Sequence, residues 1–401
     1  MRLILIFSLI LVGLPVFAQV QESEKNSANK PDSIQELKGQ NVYKESVKKK
    51  KGGALKKKNK NHRYGSFDVK EAQETEEDQK RDAQSVYKTV ESNFNINEVK
   101  SNTQRTQRTP SASQQTEMDN AVDYFENTSP SSFEYNYFNY SAGNHDISRE
   151  QNLVVAEGLR PSNSDVHVQK AALHIIKNET AEAIKYIDKL IVSKRLSSSA
   201  LEYGKDLLRS VRPNGILITH GFDDNYSAWY AQHKLGIRQD VVIVSLDFMQ
   251  SDYYRTQLKN KGYLIPKNKV VDVDFFTSFC NLNKDKGVSV SLTIPKEYFS
   301  KVLPRLFVTG LVFEYHSNDF NNFSRNDDLW KNVLSMQIVL KAKDEKAKQL
   351  SSNYLPMLFQ LRRVYNQKGD SKTVQLLDKE IDQVGAQCRK FDKVQKLKGA
   401  Y

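Results

Sequence analysis

The amino-acid sequence predicts an α/β protein with helical-repeat flanks: short helical hairpins on both sides of a small parallel βαβ core, preceded by a disordered arm. Three patterns in its 401 residues lead there. Two short apolar runs, residues 215–219 and 241–246, enclose a helix pattern, which is how buried parallel strands read. On either side of them, apolar residues recur at spacings of three and four, the period of amphipathic helices. Residues 19–130 show neither period. They are rich in Lys, Glu, Gln, Ser, Asn and Thr, a composition that buries too little apolar area to offset chain entropy.

Residues 1–18 open with Arg2, continue through an apolar stretch from Leu3 to Val12, and leave through Gly13, Pro15 and Val16-Phe17-Ala18 before Gln19. A positive start, an apolar centre and a small-residue exit read as a secretory signal peptide. The stretch is short for a membrane span, and no later run approaches the roughly 20 apolar residues that spanning needs. No cysteine stands near the cleavage point to carry a lipid. The expected chain is therefore exported, periplasmic or secreted, not a lipoprotein, and without a transmembrane span once mature. Cys280 and Cys388 are the only cysteines, which excludes a disulfide-dense scaffold and a cysteine zinc site. In an oxidising compartment the two are expected to pair.

The arm, residues 19–130, divides by charge. Its basic block, residues 41–70, holds 11 Lys/Arg against 2 Asp/Glu, centred on Lys48, Lys49, Lys50, Lys51, Lys56, Lys57 and Lys58. Residues 71–130 hold 6 basic and 12 acidic residues. This reads as a solvated linker whose halves attract each other, with the basic block available to an anionic surface. The net charge of +12 is thus spread over segments and forms no nucleic-acid stripe, and export removes nucleic acid as a partner. What remains is a weak, salt-sensitive attraction to an anionic envelope surface or acidic protein. A transient helix is expected near residues 79–90. From Phe133, the aromatics Phe133, Tyr135, Tyr137, Phe138 and Tyr140 crowd together, as in a segment that docks on the folded body.

Residues 131–212 read as helical hairpins. The stripes are Val168, Ala171, Ala172, Ile175 and Ile176, then Ala183, Ile184, Ile187, Leu190 and Ile191, then Leu201, Leu207, Leu208 and Val211. Pro213 ends the last helix. Residues 213–320 form the α/β domain. A strand at 215–219 is followed by a polar loop at 220–225, a helix at 227–235 stopped by Gly236, a second strand at 241–246 and a helix at 252–259. Weaker strands are expected at 288–294 and 305–314. Residues 327–387 return to helix, with a long one to about residue 349 and a final hairpin around Gly369-Asp370. Residues 388–401 read as a basic, frayed tail. The short antiparallel helices resemble tetratricopeptide hairpins, although no full repeat period is visible.

The run Gly215-Ile216-Leu217-Ile218-Thr219-His220-Gly221 precedes Trp229-Tyr230-Ala231-Gln232 and then Leu235-Gly236-Ile237-Arg238-Gln239-Asp240-Val241. Together these resemble the soluble carboxy-terminal region of bacterial membrane proteins classed as protein O-mannosyltransferase-like. Tyr253-Tyr254 and Thr309-Gly310-Leu311-Val312 fit further segments of that family, and the resemblance covers roughly residues 195–385. It implies a strand ending in an acidic loop and helical flanks. It does not imply transferase activity, because the family's transmembrane part has no counterpart in this sequence. Phe222 and Asp223 stand where the family has Asp and Asn, and His220 replaces Asn. Only Asp224 is retained.

Ligands of parallel α/β sheets gather beyond the carboxyl ends of the strands. That place holds His220, Asp223, Asp224 and Asn225, with Asp247 after the second strand. Such a set is of the type that binds a divalent cation or performs acid–base work. The same residues are of the type that caps a helix and closes a polar turn. Trp229 belongs to the helix core or lines a sugar pocket. His174, among Leu173, Ile175 and Ile176, reads as a satisfied boundary histidine, and His316 and Asp319 are candidates to join the loop. No phosphate loop, nucleophile elbow or metalloprotease motif occurs, so no catalytic residue, cofactor or resident metal is assigned. The expectation is an exported bacterial envelope protein acting as a non-catalytic scaffold or adaptor for protein partners. The alternative is a carbohydrate- or metal-binding module, or an enzyme of surface-glycan assembly, using the 220–225 loop.

Overall fold

The computed structural model describes residues 68–400, with side chains from 80 to 399. The signal-peptide segment and the lysines of the basic block lie outside the described residues. The described chain from Val90 onward belongs to one compact unit, while residues 68–89, which open helix α1 (Asp68–Asn102), belong to another. Helices α2 (Ala112–Thr128), α3 (Phe133–Ala142), α4 (Glu150–Leu159), α5 (Ser164–Ile176), α6 (Thr180–Val192) and α7 (Ser198–Ser210) precede the sheet. Helices α8 (Phe222–His233), α9 (Asp252–Asn260) and α10 (Val273–Leu282) lie between its strands. Helices α11 (Phe323–Asp328), α12 (Met336–Lys341), α13 (Glu345–Ser351), α14 (Leu355–Gln367), α15 (Ser371–Gln387) and α16 (Phe391–Ala400) follow it.

The sheet contains β1 (Ile216–Thr219), β2 (Val242–Ser245), β3 (Val288–Ser291), β4 (Leu306–Thr309) and β5 (Val312–Tyr315), in the order β2-β1-β3-β5-β4. β1 runs parallel to both β2 and β3, as the apolar runs predict. β5 is antiparallel to β3 and β4, so the whole sheet is mixed. The reason is local. Gly310 takes φ +56° between β4 and β5, a conformation that side chains resist, and the chain reverses there as a hairpin.

Helix ends follow one recipe. Asn178, Gly369 and Arg389 take positive φ just past α5, α14 and α15. The next N–H reaches back to His174, Tyr365 and Gly385 carbonyls at 2.8, 3.1 and 2.9 Å. Such left-handed caps satisfy orphan carbonyls and turn the chain into the following helix. α7 and α8 approach closely because Gly204 lacks a side chain: a Cβ there would lie 2.5 Å from the Ser227 backbone carbon.

Three expectations are corrected. The polar stretch to residue 130 is not wholly an unordered arm, since α1 and α2 are helices. Val90, Phe94, Met118, Ala121, Val122 and Phe125 are buried. Phe94 stacks on Phe138 at 3.8 Å and Phe125 meets it edge-on at 5.5 Å. The long helix expected from 327 is broken, because Ser335 gives its N–H to the Asp206 carboxylate at 2.8 Å and Leu334 is extended. The tail is helix α16, seated by Val394 against Gly385.

Cys280 and Cys388 are both free thiols, against the expected pairing. Cys280 is buried in α10, where burial pushes its thiol far up, and Cys388 closes α15 half-buried. Denatured, unreduced protein is therefore expected to titrate with two thiols; a result of none would restore the disulfide.

Candidate functional site

β1 stands between β2 and β3: one crossover runs from β1 out to β2 and the next returns from β2 past β1 to β3, so a switch point falls at the carboxyl end of β1. Thr219, His220 and Gly221 occupy that edge, and α8 begins at once with Phe222. Residues 222–225 are therefore the first turn of a helix and not a loop. The cause is Asp224, whose carboxylate turns back to accept the N–H groups of His220 at 2.9 Å and Gly221 at 3.0 Å. It also accepts Thr293 Oγ1 from beyond β3, at 2.5 Å. Burial raises the Asp224 carboxyl, and these bonds oppose the rise. Asp223 diverges and pairs with Lys346 of α13 at 2.9 Å. Asn225 Oδ1 accepts the Thr219 hydroxyl at 3.1 Å.

Asp247 sits beyond β2 but is also taken. Arg108 Nη2 reaches its Oδ1 at 2.6 Å, and His145 Nε2 lies 3.2 Å from Oδ2. Burial alone would raise this carboxyl, yet Arg108 and His145 hold it well below the usual carboxylate range. Arg108 arrives on a strap, residues 103–109, laid across the edge. Its N–H binds the Val271 carbonyl at 2.8 Å, Val271 N–H binds Thr109 Oγ1 at 2.9 Å, and Gln107 bridges Asp272. Arg105 on the same strap pairs with Glu297 at 2.9 Å.

His220 is 9% exposed, its ring edge-on to Tyr298 at 6.0 Å. Its Nε2 makes no hydrogen bond among the described residues. Burial drives its pKa down to about 3; Arg108 and Arg105 push the same way and Asp247 opposes. Unfolded, the ring titrates near 6.5, so the unfolded chain takes a proton that the folded one refuses. Stability is thus present above pH 6.5 and lost as pH falls toward 3. The loss is about 2 kcal/mol between pH 6.5 and 5. Urea midpoints at pH 7 and 5 are expected to differ less in His220→Asn than in the natural chain; equal differences would refute the assignment.

Arg105, Arg108, His145 and Tyr298 were not legible as site residues. The strap's triplet repeat, Thr103-Gln104-Arg105-Thr106-Gln107-Arg108-Thr109, is a signal in an otherwise acidic stretch. His145 carries no local signal: it lies in a turn where Asn144 and His145 both take positive φ. Trp229 is not at this edge. It lies two turns along α8, buried with its ring 4.2 Å from His233. His174 is satisfied, its Nδ1 2.6 Å from Glu179. His316 follows β5, which runs opposite to β1, so it stands at the other edge of the sheet and stacks on Phe320. Among the described residues, no group of three or more His, Cys, Asp or Glu is arranged to hold a metal ion.

The motif residues beyond the edge are architectural. Gln232 Nε2 donates to the Arg238 and Val241 carbonyls, both at 2.7 Å, and fixes the turn into β2. Arg238, at φ +51°, donates to the Leu208, Val211 and Arg212 carbonyls at the end of α7.

Fold and site define an α/β protein with helical flanks and a closed polar cluster at the sheet's switch point. The family model described as TMEM260-associated domain 2 matches residues 200–366, from α7 through the whole sheet into α14. No curated protein and no solved structure matches the chain.

Proposed function

We propose that this chain is a non-catalytic adaptor, exported to the cell envelope, that binds a protein partner belonging to a glycan-transfer system. One observation carries the reading: the carboxylates at the switch point are spent inside the fold, as a helix cap in Asp224 and as ion pairs in Asp223 and Asp247. A carboxylate so engaged is a poor nucleophile or base. The setting comes from the match at residues 200–366, since TMEM260 is classed as O-mannosyltransferase-like. Helical hairpins on both flanks of the sheet offer the kind of surface on which helical-repeat proteins hold partners.

The test is affinity capture with cross-linking from the envelope fraction, using residues 19–401 and residues 68–401 as baits. The shorter bait starts at 68, the first residue of α1, so that neither α1 nor α2 is cut. Both baits are expected to retain the same membrane-embedded glycosyltransferase, the longer one more strongly at low salt. Recovery of no specific protein by either bait would sink the reading. Asp224→Ala is expected to lower stability by about 1–3 kcal/mol and to leave capture intact.

A further inference from the structure

Helices α8, α9 and α10 begin at the carboxyl edge of the parallel strands and end at their amino edge, as crossover helices do. The turn after α8 is Lys234-Leu235-Gly236, the turn after α9 is Lys261-Gly262-Tyr263-Leu264, and α10 closes with Leu282-Asn283-Lys284-Asp285-Lys286-Gly287. Each sets one leucine in solvent: Leu235 is 46% exposed, Leu264 54% and Leu282 45%. The turns meet one another. Asn283 clamps Leu264 by both backbone groups, its Oδ1 accepting the N–H at 3.0 Å and its Nδ2 donating to the carbonyl at 2.8 Å. Lys286 Nζ lies 5.2 Å from the centre of the Tyr263 ring. Lys261 reaches the end of α8, where burial and then its charge hold His233 below the usual histidine range. The three turns carry four lysines and one acid, Asp285. Lys234 is paired with Asp188 at 3.5 Å, whereas Lys261, Lys284 and Lys286 belong to no ion pair among the described residues. Lys259, Lys267 and Lys269 extend the charge along a groove of about 390 Å³ beside α9, where Asp252 is the acid.

We infer that the amino edge of the sheet docks on an anionic lipid bilayer, with Leu235, Leu264 and Leu282 entering the headgroup region and Lys261, Lys284 and Lys286 meeting lipid phosphates. Lysines near helix ends also answer the helix dipole; exposed leucines do not, and covering them is favourable. Pattern and charge choose the occupant. Protein interfaces are depleted in lysine and gather their apolar groups into a buried centre, whereas each leucine here stands among lysines. Single apolar side chains interleaved with lysines suit a membrane surface, where the chain enters the headgroup layer and the ammonium stays with the phosphates. The turns are short and anchored to the sheet, so little chain entropy is lost on docking. The inference is independent of the adaptor reading: partner capture and vesicle binding are separate measurements, and either can fail alone.

The test is co-sedimentation of the full mature chain with vesicles of equal parts phosphatidylglycerol and phosphatidylethanolamine, against vesicles of phosphatidylcholine alone. The natural chain is expected to bind the anionic vesicles and not the neutral ones. The triple variant Lys261→Gln, Lys284→Gln, Lys286→Gln is expected to bind at least about tenfold more weakly. The double variant Leu264→Ser, Leu282→Ser is expected to bind at least about threefold more weakly. All five side chains are exposed, so both variants are expected to keep the natural melting temperature. Absence of binding to the anionic vesicles overturns the inference. So does equal binding by natural and variant chains, because the basic block at 41–70 would then hold the vesicles. Loss of partner capture by the lysine variant with vesicle binding unchanged overturns it too, because the edge would then be a protein interface.

Discussion

Asp206→Ala is expected to lower the unfolding free energy by about 3–5 kcal/mol, the largest loss expected here from a single substitution. Asp206 is fully buried on α7. Its Oδ1 accepts Ser335 N–H at 2.8 Å and Arg209 at 3.1 Å, and its Oδ2 accepts Tyr354 OH at 2.8 Å. Burial raises the carboxyl, and these three donors oppose it. One carboxylate therefore ties α7 to the start of α12 and to the residue before α14. Alanine leaves the half-buried Ser335 N–H and the buried Tyr354 phenol unpaired, in addition to a cavity. Asp206→Asn keeps the volume and one acceptor, so it should lose roughly half as much. Urea midpoints with an unchanged m-value measure both. A loss under about 1 kcal/mol for alanine would remove Asp206 from the centre of the account.

Arg238→Ala should cost about 2–3 kcal/mol, from the loss of charge-assisted bonds to carbonyls. The guanidinium donates to Val211 at 2.7 Å, Arg212 at 3.0 Å and Leu208 at 3.2 Å, and it grips Asp240 at 2.8 and 2.9 Å. Asp240 in turn accepts Asn214 N–H at 2.8 Å. The final carbonyls of α7 have no intrahelical donor, so the side chain seals the helix end while holding the turn into β2. Lysine cannot reproduce the fork, and Arg238→Lys is expected to recover little of the loss. Full recovery by lysine in the same urea assay would show that only charge matters there.

These two residues show what the sequence conveys and what it hides. The apolar runs at 215–219 and 241–246, which hold strands β1 and β2, and the hairpin stripes were legible because strand and helix periods are local. The helix at 222–225 was not legible: it depends on Asp224 capping backwards onto His220 and Gly221. The order in α1 and α2 was hidden because six apolar residues sit in a polar window, and only packing on Phe138 makes them count. Asp247 was placed correctly at the edge, but its partners Arg108 and His145 lie over 100 positions away in the chain, and no local pattern announces them. The Trp229–Val241 motif was legible as a motif; its meaning, a clamp built by Gln232 and Arg238, required the fold.

The claim that the switch-point carboxylates are structural has a direct measurement: mannosyl transfer from a polyprenyl-phosphate-linked donor to an acceptor peptide by the purified mature chain, alone and as folded Asp224→Asn. The account predicts no product from either protein. Turnover by the natural chain that folded Asp224→Asn lacks would contradict it and make Asp224 a catalytic residue.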